Sequence, residues 1–133
     1  MAKTMRAKCL EALQKLARLE AADDNGMVRC VSCNKHLHWK EAHGGHYIAK
    51  GSSSYWALER ENCHPQCVGC NIFGMSRGSA EGQYTLWMID YYGRDFVDKM
   101  HEDKRKLKKL YAADYKDMLA EFNKLIKHHE GRL

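Results

Sequence analysis

Residues 61–71 read Glu61-Asn62-Cys63-His64-Pro65-Gln66-Cys67-Val68-Gly69-Cys70-Asn71. The run closes on a C-x-x-C pair, and a second pair, Cys30-Val31-Ser32-Cys33, lies upstream. Two such pairs supply four thiolates for a tetrahedral Zn²⁺, each short loop presenting two sulfurs to the same ion. A redox dithiol is the competing reading. It suits one pair better than two, and Gly69 offers the knuckle a residue that tolerates positive φ. Cys30, Cys33, Cys67 and Cys70 are therefore expected to hold a structural zinc. Such a site contributes about 10–16 kcal/mol of apparent binding energy that doubles as folding energy. Cys9 falls in a helical pattern and reads as a small buried apolar residue. Cys63 and His64 lie close enough to Cys67 to compete as ligands.

Outward from this centre the chain divides into three. Residues 4–22 predict a helix, with Thr4 as N-cap and Leu10, Leu13, Ala17 and Leu19 near helical spacing. Residues 27–78 hold all four paired cysteines and show no sustained helical period, so short strands, loops and one short helix are expected there. Residues 84–130 turn helical again. One helix opens at Tyr84 and ends at Gly93, and a long amphipathic one runs from Leu107 through Leu110, Tyr111, Tyr115, Met118, Leu119 and Phe122 to Ile126. A chain of 133 residues with this layout predicts one α+β domain over 1–133. Its 44% hydrophobic and 29% charged residues argue against disorder. No stretch approaches the ~20 apolar residues a membrane span needs. The opening Met1-Ala2-Lys3-Thr4 lacks a secretory signal, so a reduced cytoplasmic setting is expected and disulfides are not. A net charge of +5 is compatible with a polyanionic partner.

Thirty-three residues separate the two pairs, more than the ~15–20 of a compact ribbon. The insert carries Gly45-His46-Tyr47-Ile48 and then Asn62 and His64. A β-hairpin bearing His46, crossing to a short helix that starts near Cys67 and bears Asn71, would bring these side chains together above the zinc. That is the layout of a ββα-metal, or HNH, nuclease site. Phosphodiester hydrolysis uses such groups for definite reasons. A neutral imidazole, with an unperturbed pKa near 6.5, takes a proton from water. A hard divalent cation, Mg²⁺ or Mn²⁺, neutralises charge on the transition state and the departing oxygen. Asn71 offers that cation a carbonyl oxygen. Asn62 is better placed to brace the hairpin loop through backbone hydrogen bonds. His64 could ligate the cation in place of a carboxylate, or bind the scissile phosphate.

Residues 30–98 resemble the phage NinG (Rap) family of recombination endonucleases, a branch of the HNH superfamily. The resemblance rests on Cys30-Val31-Ser32-Cys33, on Gly45-His46-Tyr47, on the whole run from Glu61 to Asn71, and on Gly78, Tyr84 and Tyr92-Gly93. It implies metal-dependent cleavage of branched DNA, including Holliday junctions and strand-invasion intermediates, by a phage protein in the host cytoplasm. It gives His46 the role of general base, Asn71 that of the metal-side asparagine, and makes Asn62 with His64 the middle motif. Two departures stand out. Many HNH sites have Asp immediately before the catalytic His, where this chain has Gly45. NinG-like proteins often have an acidic residue slightly earlier, where it has His43.

Lys104, Arg105, Lys106, Lys108 and Lys109 form the densest basic run. It reads either as a solvated helix face or as a track for DNA phosphates. Arg77, on the exit from Asn71, is a candidate phosphate clamp. Paired cuts in a two-fold symmetric junction would suit a homodimer. The rival readings are a non-catalytic zinc module that binds DNA or a recombination partner, and a sequence-specific homing or restriction nuclease with the same core.

Overall fold

The computed structural model describes residues 2–133. It is an α+β fold in which helices flank two small antiparallel hairpins. Helix α1 (Met5–Ala21) starts where the sequence predicts, with Thr4 Oγ1 accepting from the Ala7 N–H at 3.1 Å. Its buried face of Cys9, Leu10, Leu13, Leu16 and Leu19 packs on Phe122 and Ile126 of α5 (Ala112–Arg132). The Arg132 guanidinium seals the far end by donating to the carbonyls of Leu19 and Ala22, both at 2.9 Å, which serves acceptors a helix C-terminus leaves open.

Strands β1 (Met27–Arg29) and β2 (His36–His38) pair with Val28 opposite Leu37. The first cysteine pair lies in the turn between them. The residue with positive φ at this knuckle is Asn34, at 64°; Gly69 has φ −60°, ordinary helical backbone, so the expected need for glycine there does not arise. Strands β3 (His43–His46) and β4 (Cys63–Gln66) form the second hairpin, with Gly45 opposite His64 and His46 opposite Cys63. The chain then enters a π-helical turn, Cys70–Gly74, that runs into α2 (Met75–Arg77).

Two glycines let this hairpin pack tightly. A Cβ on Gly44 would lie 2.6 Å from Gln14 Cα, because α1 crosses β3 directly. A Cβ on Gly45 would lie 1.8 Å from Gln66 Oε1. Neither strand position can carry a larger side chain without moving backbone or the buried Gln66.

Helix α3 (Ala80–Tyr92) and α4 (Arg94–Asp103) are hinged at Gly93, whose φ of 90° ends α3 as the sequence predicts. They close a second core of Tyr47, Ile48, Trp56, Tyr84, Met88, Val97 and Met100. The last helix differs from the expected one. Residues 104–111 are not helical, and α5 begins only at Ala112. Leu107, read as part of its apolar stripe, is 92% exposed. The break has local causes: the buried Asp103 carboxylate takes Lys99 and Lys106 at 3.3 and 2.8 Å, and Asp114 accepts from the Tyr111 N–H at 2.8 Å in a capping box that starts α5 afresh. Among the described residues no helix is long and apolar enough to cross a membrane.

These placements separate two leucine-like positions that sequence periodicity treats alike. Phe122→Ala should cost about 3–5 kcal/mol in urea unfolding, because it opens a cavity against α1. Leu107→Ala should change stability by less than about 0.5 kcal/mol.

Candidate metal centre and active-site cleft

The Sγ atoms of Cys30, Cys33, Cys67 and Cys70 all lie within 4.8 Å of one another, with Cys33 and Cys67 at 3.7 Å. Four sulfurs at 2.3 Å from a tetrahedral zinc stand about 3.8 Å apart, so the donor set and its spacing fit a structural zinc. Burial, and then contact with Cys67, Cys33 and Cys30, pushes the Cys70 thiol up. Cys63 is not part of this cluster. It lies in the core under α1, 2% exposed, and burial holds its thiol up at about 12. Cys9 is buried as expected and contacts the Tyr115 carbonyl.

Beside this centre is a cleft of about 570 Å³ whose lining includes His46, Asn71, Lys50, Glu81, His101, Lys104 and Arg105. His46 Nε2 lies 2.8 Å from the Ala57 carbonyl oxygen. A carbonyl only accepts, so Nε2 carries the hydrogen and Nδ1 is the open nitrogen. Burial, reinforced by Lys50 and Arg6 and opposed by the Ala57 bond, lowers the His46 pKa and keeps the ring neutral at pH 7. Asn71 Nδ2 donates to His43 Nδ1 at 3.0 Å, which orients the amide and frees its Oδ1. The π-helical turn contains both Cys70 and Asn71, one at the sulfur cluster and the other in the cleft.

Asn62 and His64 do not line this cleft. Asn62 is fully buried; its Oδ1 accepts from the Ile48 N–H at 2.8 Å, and its Nδ2 donates to the carbonyls of Ile48 and Trp56. One side chain thus braces the loop that crosses from β3 to β4, the bracing anticipated from its residue type. His64 sits between two tyrosines. The Tyr84 hydroxyl donates to the Gly45 carbonyl at 2.8 Å, so His64 Nδ1 must donate to Tyr84 and Nε2 accepts from Tyr92. Burial drives its pKa down to about 3. Both nitrogens are engaged, and the ring faces a different hollow, lined also by Trp87, Tyr91, Arg29, Arg60, Glu20 and Glu61.

The basic run divides by partner. Lys104 and Arg105 line the cleft, whereas Lys106 pairs with Asp103 at 2.8 Å and Lys108 with Glu59 at 2.7 Å. Lys109 lies 5.4 Å above the Tyr111 ring, and Arg77 is exposed on α2, outside the cleft lining. Sequence reasoning missed Lys50, Glu81 and His101. No local motif marks them; α3, α4 and the hairpin loop bring them to the cleft only in the folded chain.

Purified protein should contain about one zinc per chain, and Cys30→Ser or Cys67→Ser should lose both metal and cooperative unfolding, checked by metal analysis and thermal melting. Asn62→Ala strands three buried backbone groups. It should cost at least about 2 kcal/mol while keeping the zinc.

The model of the NinG family, described as the bacteriophage lambda NinG protein, matches residues 3–131. No curated protein and no solved structure is significantly similar. Because the match spans nearly the whole chain, including both cysteine pairs, the hairpin and α5, this protein belongs to the NinG family.

Proposed function

We propose that this NinG-family protein is a metal-dependent DNA endonuclease of the HNH, or ββα-metal, type, acting on branched recombination intermediates. The observation that carries the reading is the pairing, in one cationic cleft, of an imidazole with a free Nδ1 and an amide with a free Oδ1. The charge balance of the two hollows favours this one for a phosphate chain. Lys50, Lys104 and Arg105 face a single carboxylate, Glu81, whereas Arg29 and Arg60 in the other hollow are offset by Glu20, Asp23 and Glu61.

His46 acts on a water molecule. Its Nδ1 accepts the proton as the water oxygen bonds to phosphorus, and the bond from phosphorus to the leaving sugar oxygen breaks. The Ala57 carbonyl holds the ring in the tautomer this requires. Asn71, through Oδ1, and Glu81 are oxygen donors suited to a Mg²⁺ or Mn²⁺ ion, which when bound neutralises charge on the phosphate. The carboxylate common before the catalytic His has no room here, since any Cβ at Gly45 meets Gln66. Lys50, Lys104 and Arg105 hold the flanking phosphates without reading bases. Arg77, Lys106, Lys108 and Lys109 belong to an outer surface that longer DNA can reach. His64 works at one remove, tying β4 through Tyr84 to the Gly45 carbonyl next to His46. The preference for four-way junctions and strand-invasion intermediates follows from the family resemblance, and paired cuts in such a two-fold symmetric substrate would suit a homodimer.

Labelled four-way junction, duplex and single strand, each incubated with Mg²⁺ or with EDTA, test this. We expect nicking that needs the cation, strongest on the junction, and reduced about 10²–10⁴-fold in His46→Ala with its zinc retained. Equal cleavage by that variant would falsify the assignment of the base; junction binding without cleavage would favour the non-catalytic module. Because His46 must be neutral to act and its pKa is lowered, kcat/KM should fall only as pH drops below the usual imidazole range near 6.5, the loss appearing on the acid side.

A further inference from the structure

We infer that Leu107 is a wedge for branched DNA. Held out on the basic loop that leaves α4, it enters between bases where a branch point has already interrupted their stacking. This role rests on the nuclease reading, and it gives the preference for branched substrates a residue of this chain's own.

Leu107 is 92% exposed, more than any other large hydrophobic residue among the described residues. One exposed leucine is ordinary on a folded protein. What is particular here is how the chain on either side of it is tied down. Before it, the Lys106 N–H donates to the Asp103 carbonyl at 2.9 Å, and Lys106 Nζ pairs with the buried Asp103 carboxylate at 2.8 Å. After it, the Lys108 N–H donates to Ser54 Oγ at 3.0 Å, and Lys108 Nζ pairs with Glu59 at 2.7 Å. Leu110 then packs against the core between α1 and α5. Both neighbours of Leu107 thus commit main chain and side chain to the body of the protein, and the leucine is left at the apex. A loop already fixed in this way loses little further freedom on meeting a partner.

The partner that fits is a polyanion with apolar surface inside it. Lys104, Arg105, Lys106, Lys108 and Lys109 flank Leu107 in sequence, and Lys104 and Arg105 line the cleft with His46 and Asn71. Arg105 and Leu107 are two residues apart, so their Cα atoms stand at most ~7 Å from each other. Stacked nucleotides rise ~3.4 Å each along a strand, so a phosphate held by Arg105 places Leu107 only a few nucleotides away. In DNA the phosphates answer the cations, and the main apolar surface is the faces of the bases. Intact duplex covers those faces by stacking, and opening one step costs as much as, or more than, burying one leucine returns. At a four-way junction or the edge of a displaced strand the stack is already broken, and the burial is gained without that cost. The wedge therefore adds affinity on branched DNA and next to none on duplex, without reading sequence.

The test uses the full chain with zinc bound and compares wild type, Leu107→Ala, Leu107→Met and Leu107→Lys on a four-way junction and on duplex of the same sequence. Binding anisotropy is read with no divalent cation added, and cleavage with Mg²⁺. Leu107→Ala should raise the junction Kd about tenfold and move the duplex Kd by less than about twofold, with thermal melting unchanged. Leu107→Met, still apolar, should keep the preference, and Leu107→Lys should lose it despite the added positive charge. A fluorescent adenine analogue at the branch point should brighten when wild type binds and much less with Leu107→Ala. An unchanged junction Kd in Leu107→Ala, or an equal loss on junction and duplex, would overturn the wedge while cleavage by the wild type keeps the nuclease reading intact. Retained preference in Leu107→Lys would also overturn it, assigning the discrimination to charge. So would a Leu107→Ala protein that changes only its oligomeric state, which puts the leucine in a contact between copies. If the wild type prefers the junction but cuts nothing, the nuclease reading fails, and loss of that preference in Leu107→Ala still supports the wedge.

Discussion

Four sulfurs from two distant turns converge within 4.8 Å, and most of the middle of this protein depends on that convergence. The hairpin β1–β2 has only three residues per strand, and two-stranded ribbons of that size are marginal in water. Cys30 and Cys33 tie it to the point where β4 becomes helix, at Cys67 and Cys70. The same linkage determines where the helical segment begins and therefore where Asn71 stands. A metal held at this cluster would be folding energy for the site as much as for the knuckle.

Around the cluster, directed hydrogen bonds replace bulk as the ordering force. Asn62 serves three backbone groups, and Tyr84 links His64 to the Gly45 carbonyl. Gly44 and Gly45 allow α1 and Gln66 to approach β3 more closely than any side chain would permit. These contacts are buried and mutually dependent, so removing one member strands others. Beside them, His46 on β3 and Asn71 on the π-helical turn each have one polar atom bound and one free.

The two hollows show how the same residue types serve different ends. His46 and His64 stand one register position apart on the paired strands β3 and β4, yet one keeps a nitrogen open in a cationic cleft and the other spends both on tyrosines. Aromatic packing around His64 by Trp87, Tyr84 and Tyr92 makes it part of the scaffold. Burial lowers the pKa of both rings, so that alone does not separate their roles; hydrogen-bond geometry does.

Local chemistry determined much of this protein without help from the fold. The C-x-x-C spacing specified which four sulfurs converge, Thr4 and Gly93 marked helix ends, and the polar types in Gly45-His46 and Asn62 through Asn71 named the hairpin, its brace and the helix after it. These were legible because each depends on residues a few positions apart. What only the tertiary structure decided involves groups far apart in sequence. Examples are Cys63 being withdrawn under α1, His64 being consumed by α3, the basic run being split between Asp103, Glu59 and the cleft, and His101, Glu81 and Lys50 being delivered to the cleft that His46 also lines. Hydrophobic periodicity from 107 to 126 also misled, because a helix pattern cannot register that a buried carboxylate at Asp103 and a capping box at Tyr111 satisfy the backbone better by breaking it. A side chain's identity limits what it can do; which of its atoms remains free is set by partners that only folding supplies.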